Sequence, residues 1–479
     1  MKHTKRNSII ILILLLWLVI AQTAVADLAS SINSLLAGPA LKHGTQGVVI
    51  ESLASGRVLY ERNRDTLFIP ASNFKLLVSA ASLDNLGPDF TFTTSVYQSG
   101  KLDSSGNLTG NLIIVGGGDP TFSTDDLKAM VNVIKSKGVR RIDGNIIADE
   151  SRFDDERLGA GWPSSEEPFY YSAQVSALTL DRNVVDVYVK PGLKARDPAR
   201  VSLRPSSDYF SIENTAITGQ AKSDNSIYVD RARGRNIIRI KGSVPVDFKS
   251  TSRTEPITME EPALYTATVL RSILTKSGIK VTGKVGKGVK PEGAKLITEH
   301  KSPPLSKILI LLNKPSDNLI AENLLKSLGA EIKGKGTASA GEEVELDFIK
   351  RAGGDSEAIS INDGSGLSRL NYITPDNIIA ILRFMWNHRH SKVFIESLPV
   401  AGVDGTLHRR MKGTAAEGNV RAKTGYVRRV SCLSGYVTTR SGEPLVFSIM
   451  MNGHLCPNAS ATKVQDAICE LLANLNELE

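Results

Sequence analysis

The chain has 479 residues and a formal net charge of +8, with 41% hydrophobic and 23% charged residues. This length predicts about three domains, and the ordinary composition excludes a disordered chain, a collagen-like repeat and a multi-span membrane protein. The Lys and Arg residues are dispersed along the sequence. We therefore expect no nucleic-acid partner, because such proteins gather their basic residues on one surface.

Residues 1–26 have the pattern of a cleavable export signal. Three cationic residues precede an apolar run from Ile9 to Ile20, and Ala24-Val25-Ala26 forms a small-x-small cleavage pattern. The run of about 12 apolar residues is shorter than the roughly 20 that a membrane-spanning helix needs. We expect cleavage after Ala26 and an exported protein, periplasmic or otherwise extracytoplasmic, that is soluble or loosely associated with the envelope.

The first predicted elements of the mature chain are a helix over 28–38 and two strands within 47–63. An amphipathic helix is then predicted from Asn73 to near Gly87, because apolar residues recur there at helical spacing. The pattern of residues 96–299 predicts a strand-rich insert, which we expect to form two small domains.

Helices return from residue 300, followed by late strands and a C-terminal helix. This order predicts an α/β fold of α+β layers, formed by residues 27–95 and 300–479 and split by the insert.

Three short motifs indicate a catalytic site: Ser72-Asn73-Phe74-Lys75, Ser316-Asp317-Asn318 and Lys423-Thr424-Gly425. The patterns S-x-x-K, S-D-N and K-T-G are typical of β-lactamases and penicillin-binding proteins. Each pattern alone is weak, but their order along the chain and their predicted settings favour function. Ser72 and Ser316 are predicted to start helices, and Lys423 to lead into a strand.

Further copies of these motifs have structural explanations. Ser277 lies at a predicted helix end before Gly278, Ser460 is expected to cap the C-terminal helix, and Ser223 lies in a polar turn. Residue by residue, the chosen motifs also have such explanations: Lys75 as an interior ion-pair partner, Ser316 as a helix cap and Lys423 as a strand-edge charge. The occurrence of all three motifs together is better explained by a catalytic site.

Residues three apart on a helix share one face, about 5 to 6 Å apart at Cβ, so Lys75 can take the proton of the Ser72 hydroxyl. An amine with a pKa of about 10.4 must lose roughly three units to act as a base near neutrality, which burial and a second cation, Lys423, could supply. Further predicted roles are proton relay by Ser316, substrate binding by Asn318, Lys423, Thr424 and Gly425, and a backbone oxyanion hole at Ser72 and Tyr426.

We expect neither a metal site nor a cofactor. His388 and His390 are two apart on a predicted helix and face different sides, and no dinucleotide or phosphate-binding fingerprint appears. The three cysteines, Cys432, Cys456 and Cys469, permit at most one disulfide.

Longer strings around these motifs carry a family resemblance: PASNFKLLVSAASL around Ser72, GGGDPTF at 116–122, NDGSGLSRLN at 362–371 and GTAAEGNVRAKTG at 413–425. The sequence resembles the class C low-molecular-mass penicillin-binding proteins, the penicillin-binding protein 4 type of D-alanyl-D-alanine carboxypeptidase and endopeptidase. Tyr426 stands where that family commonly has Thr or Ser.

The resemblance implies a serine β-lactamase/transpeptidase-like domain interrupted by extra domains. It implies action on peptidoglycan peptides through an acyl-enzyme, with β-lactam antibiotics as covalent inhibitors that acylate Ser72.

Two alternative functions remain open from the sequence. A β-lactamase would share the chemistry but needs a fast deacylating water, and a non-catalytic peptidoglycan-binding scaffold would keep the fold without needing a base beside a hydroxyl. The oligomeric state, the preferred stem peptide and the balance between carboxypeptidase and endopeptidase action are not determined by the sequence.

Overall fold

A computed structural model describes residues 27–249, 252–254 and 256–476 of the chain. The predicted export signal, residues 1–26, lies outside the described residues. Within the described ranges, no helix is both long enough and apolar enough to cross a membrane.

The α-helices, labelled in chain order, are α1 (27–36), α2 (Lys75–Leu86), α3 (Thr124–Ser136), α4 (Pro262–Lys276), α5 (Leu305–Asn313), α6 (Asn318–Lys333), α7 (Ala338–Arg351), α8 (Pro375–Trp386), α9 (Ser391–Ser397) and α10 (Asn458–Ala473).

The β-strands of the described ranges are β1 (Thr45–Ser52), β2 (Val58–Arg62), β3 (Thr93–Leu102), β4 (Asn107–Val115), β5 (Arg141–Asp143), β6 (Ile146–Asp149), β7 (Val184–Lys190), β8 (Arg200–Arg204), β9 (Ser211–Asn214), β10 (Ile217–Gly219), β11 (Tyr228–Arg231), β12 (Ile237–Lys241), β13 (Ser243–Pro245), β14 (Ser252–Arg253), β15 (Ile257–Thr258), β16 (Lys280–Val281), β17 (Val285–Lys287), β18 (Lys295–Lys301), β19 (Ile359–Ser360), β20 (Tyr372–Ile373), β21 (Arg421–Val427), β22 (Val430–Thr438) and β23 (Pro444–Asn452).

The chain divides into two compact units. Of the described residues, the first unit contains those from 27 to 88, Leu309–Asp317 and those from 342 to 476. The second contains the described residues from 89 to 308 and Asn318–Gly341. Helix α6 was predicted to belong to the catalytic domain, but it belongs to the second unit. Its Asn323 Nδ2 donates to the Gly118 carbonyl at 3.1 Å, within that unit. The predicted domain boundaries stay a prediction.

The first unit is built on a five-stranded antiparallel sheet in the order β2-β1-β23-β22-β21. Strands β22 and β23 are buried along almost their whole length, because helices cover both faces. Residues such as Leu433 and Ile449 point to the core that includes α1 and α10, whereas the Tyr436 hydroxyl on the other face donates to the Leu382 carbonyl of α8 at 2.7 Å. This alternation follows from the two-residue period of a strand.

The second unit is rich in strands. Its largest sheet has seven strands, with β3 antiparallel to β4 and β18, and β4 parallel to β5 and β6. An apolar core joins this sheet to α3 and α4 and continues into the smaller sheets built on β7 and β12.

Three predicted element bounds near the motifs were wrong. A 3₁₀ turn, Ala71–Phe74, precedes α2, so the α-helix begins at Lys75 and not at Asn73. Ser316 does not start a helix: it adopts a left-handed φ of 65° in the turn before α6. Lys423 does not precede a strand but lies within β21.

Candidate functional site

Ser72 and Lys75 lie on one tight turn of the first unit. Residues three apart eclipse each other in a 3₁₀ turn, and the Lys75 Nζ donates to the Ser72 Oγ at 3.1 Å. The Lys75 side chain is fully buried, which keeps the amine out of bulk water and against the hydroxyl. A buried amine in contact with a serine hydroxyl is the arrangement that a serine nucleophile with a lysine base requires.

A second contact holds the Lys75 amine. Its Nζ donates to the Ser365 carbonyl oxygen at 2.6 Å. This carbonyl was not predicted from the sequence, because every residue has a backbone carbonyl and no residue type marks the one that is used. The available signal was the polar string at 362–371, whose Asp363, Ser365, Ser368 and Asn371 side chains are all buried.

A second lysine–serine pair lies in the same unit. The Lys423 Nζ donates to the Ser316 Oγ at 2.8 Å and to the Thr424 carbonyl at 2.9 Å. Burial, and then the nearby charge of Lys75, hold the pKa of Lys423 well below its usual range. The Ser316 hydroxyl thus contacts an amine that gives up its proton more readily than an exposed lysine.

The turn that carries Ser316 is held by neighbouring backbone. The Thr406 N–H donates to the Lys314 carbonyl at 3.0 Å, and the Thr406 and Thr424 hydroxyls are 2.7 Å apart. Thr406 therefore contacts both the Ser316 turn and β21. These contacts fix the Ser316 hydroxyl relative to the strand that carries Lys423.

Gly425 allows β21 to lie directly against the Ser72 turn. A Cβ at residue 425 would lie 2.5 Å from the Pro70 carbonyl oxygen and 3.0 Å from the Asn73 nitrogen. Asn73 also anchors the turn to the sheet, because its Nδ2 donates to the Ser434 Oγ of β22 at 2.7 Å. Tyr426, the next residue of β21, is 59% exposed. The oxyanion-hole role of the Ser72 and Tyr426 N–H groups stays a prediction.

Asn318 is the first residue of α6 and belongs to the second unit. Its Nδ2 donates to the Tyr171 carbonyl at 2.8 Å. Its role in binding a substrate peptide stays a prediction.

The family model described as the D-Ala-D-Ala carboxypeptidase 3 (S13) family matches residues 28–475. The chain belongs to this family. Its S13 membership confirms both the predicted family resemblance and the predicted enzyme class, a serine-type D-Ala-D-Ala carboxypeptidase. The chain is also 40% identical over 461 residues to a D-alanyl-D-alanine carboxypeptidase of Actinomadura sp. (strain R39), covering 93% of this chain and 84% of that relative.

Solved structures show the same fold. Penicillin-binding protein 4 of Haemophilus influenzae aligns with a TM-score of 0.82 at 24% identity, over 93% of this chain and 99% of that chain. A structure of that protein complexed with a β-lactam aligns with a TM-score of 0.75 at 23% identity, over the same shares of the two chains. The predicted transpeptidase-like α/β fold is confirmed.

The other motif copies in this S13 member lie in structural positions. Ser277 is the C-cap of α4, and Gly278 follows with a φ of 88°, as predicted. The Ser223 hydroxyl donates to the Gln220 carbonyl within a turn at 2.8 Å. The prediction that Ser460 caps α10 was wrong, because the helix begins at Asn458 with Pro457 as its N-cap.

The prediction that His388 and His390 face different sides of a helix was also wrong. Helix α8 ends at Trp386, and the two rings lie 5.3 Å apart in an edge-to-face contact. His388 Nε2 lies 3.3 Å from the Asp84 carboxylate. Across the residues that the structure describes, no cluster of three or more His, Cys, Asp or Glu side chains is arranged to hold a metal ion.

Proposed function

We propose that this S13 family member cleaves peptides ending in D-alanyl-D-alanine, and D-alanyl cross-links, in peptidoglycan through an acyl-enzyme on Ser72. The observation that carries the proposal is the 3.1 Å contact between the Lys75 Nζ and the Ser72 Oγ. A binding module does not require a buried amine beside a serine hydroxyl. A serine hydrolase does, because a base must take the hydroxyl proton.

In the acylation step, the Ser72 Oγ attacks the carbonyl carbon of the penultimate D-alanine while its proton moves to the Lys75 Nζ. The peptide C–N bond then breaks, and the departing amine of the terminal D-alanine takes a proton. Ser316 and Lys423, whose hydroxyl and amine are 2.8 Å apart, are the groups that we assign to deliver this proton. Water afterwards hydrolyses the ester and regenerates Ser72.

The carboxylate of the terminal D-alanine is assigned to Lys423 and Thr424. Burial and the charge of Lys75 lower the pKa of Lys423, and a bound carboxylate would favour its protonated form, because an opposite charge nearby stabilises the charged amine. Each backbone donor of the oxyanion hole would contribute about 3 kcal/mol to the transition state.

We extend β-lactam binding to this chain, as covalent acylation of Ser72, on the basis of the Haemophilus influenzae complex. We also propose that the protein is exported, because residues 1–26 have the pattern of a cleavable signal. Peptidoglycan peptides in the periplasm or outside the cell are then its substrates.

The test compares D-alanine release from peptides that end in D-alanyl-D-alanine with release from the same peptides amidated at the terminal carboxylate. Losing one charge-assisted contact should lower kcat/KM by roughly tenfold to a hundredfold. Penicillin turnover is measured on the same preparation and should be slow. Rapid penicillin turnover without D-alanine release would indicate a β-lactamase, and peptidoglycan binding with neither activity would indicate a scaffold.

A further inference from the structure

The segment that follows β19 folds around one buried carboxylate. Asp363 is fully buried, and both of its oxygens accept hydrogen bonds from the surrounding loop. Oδ1 accepts from the Gly366 N–H at 2.7 Å and the Asn371 Nδ2 at 2.5 Å, and Oδ2 accepts from the Ser368 N–H at 2.7 Å and the Ser365 Oγ at 3.1 Å. Hydrogen bonds to a charged acceptor are among the strongest in proteins, so this carboxylate determines the path of the loop.

The loop touches the turn that carries Ser72 and Lys75 at two points. The Ser365 carbonyl accepts from the Lys75 Nζ at 2.6 Å. Gly366 has a φ of 78°, and a Cβ there would lie 1.9 Å from the Ala71 carbonyl oxygen. The backbone of residues 365 and 366 therefore lies directly against the turn, in a position that its bonds to Asp363 fix.

We propose that Asp363 is a positioning residue for the acylation step and acts through the Ser365 carbonyl; this role rests on the proposed function of Ser72 and Lys75. To accept the Ser72 proton, the Lys75 amine must be neutral, with two N–H bonds and one lone pair. The lone pair then takes the place of the N–H that donates to the Ser72 Oγ. When one N–H is donated to the Ser365 carbonyl, the orientation of the amine is restricted and its lone pair can face the Ser72 hydroxyl. In the step itself, the hydroxyl proton moves to this lone pair as the Ser72 Oγ bonds to the substrate carbonyl carbon.

Asp363→Asn tests this role because it keeps the shape of the side chain but replaces one oxygen with an NH₂ group. An NH₂ group in place of Oδ1 would face two donors, the Gly366 N–H and the Asn371 Nδ2. In place of Oδ2 it would face the Ser368 N–H, while the Ser365 hydroxyl can turn to accept from it. Either orientation sets at least one donor against another, so the loop must shift. A displacement of about 1 Å at a reacting group lowers rates by about a hundredfold. We expect the first-order rate constant for acylation by fluorescent penicillin to fall tenfold to a hundredfold, while the dissociation constant of the preceding non-covalent complex changes little.

Stopped-flow labelling gives both constants, and the final labelled fraction counts the folded sites. Asn371→Ala removes one donor to Asp363 and also the Oδ1 that accepts the Asn362 and Asp363 N–H groups, so it should lower the same rate constant. Asp355→Asn is the matched control, because Asp355 accepts the Glu357 N–H in an exposed turn at 2.8 Å and its change should leave both constants at the native values.

A native acylation rate constant in Asp363→Asn would overturn the proposal. So would a reduced labelled fraction with a native rate constant, because that result would show a purely structural role. If the native protein itself is not labelled, the proposed function fails, and the role of Asp363 fails with it.

Discussion

Replacing Gly425 with alanine should disturb the site by forcing β21 away from the Ser72 turn. The added Cβ would lie 2.5 Å from the Pro70 carbonyl oxygen, whereas ordinary contacts begin near 3.4 Å, so β21 and the Ser72 turn must separate by about 0.9 Å. Overpacking of this kind costs roughly 1 to 3 kcal/mol of stability. Because β21 also carries Lys423 and Thr424, kcat/KM for D-alanine release should fall by about a hundredfold.

The assay is D-alanine release by Gly425→Ala, with thermal unfolding measured on the same preparation. Gly286→Ala in β17 is the matched control, because no heavy atom lies within 4 Å of a Cβ at that residue. It should leave kcat/KM unchanged. A Gly425→Ala protein whose kcat/KM stays within a few-fold of native would refute the inference that the close approach of β21 sets the site geometry.

Two further predictions follow from the buried amine and thiol groups. In the folded protein the pKa of Lys423 lies below its usual value of 10.5, because of burial and then the charge of Lys75. At pH values between the folded-state pKa and the unfolded-state pKa of this lysine, the unfolded state therefore binds more protons than the folded state. Urea unfolding from about pH 7 to about pH 10 should therefore show the native protein gaining stability relative to Lys423→Met as the pH rises, and a flat difference would contradict the shift. Iodoacetamide should alkylate Cys456 in the native protein, and peptide mass mapping identifies the modified residue. Cys432 and Cys469 should react slowly, because burial raises the pKa of the Cys432 thiol to about 12 and also raises that of Cys469. Early alkylation of either residue would contradict its burial.

Local geometry was the most predictable part of the site. The spacing of Ser72 and Lys75 predicts that the two side chains share a face, and this holds although the turn is 3₁₀ and not α-helical. The conformation of Ser316 could not be predicted, because Ser after Pro is equally compatible with a helix start and with a turn. Its left-handed φ depends on contacts to residues far along the chain, such as Thr406.

Long-range arrangement was predictable only in outline. Helices around late strands indicated an α/β layer fold, but the pairing of β1 with β23 joins residues about 400 positions apart in the sequence, and residue patterns do not specify such pairings. The Ser365 carbonyl was missed for a different reason. Every residue has a carbonyl, so only the folded backbone shows which one meets the Lys75 amine.

The most direct test of the account is to locate the penicillin adduct by mass spectrometry of peptides from the labelled protein. One penicilloyl group should be found on the peptide that contains Ser72, and Ser72→Ala should abolish labelling. Ser277→Ala and Ser460→Ala, which alter the other two S-x-x-K motifs, should leave labelling intact. An adduct on either of those serines, or labelling that persists in Ser72→Ala, would contradict the assignment of the nucleophile.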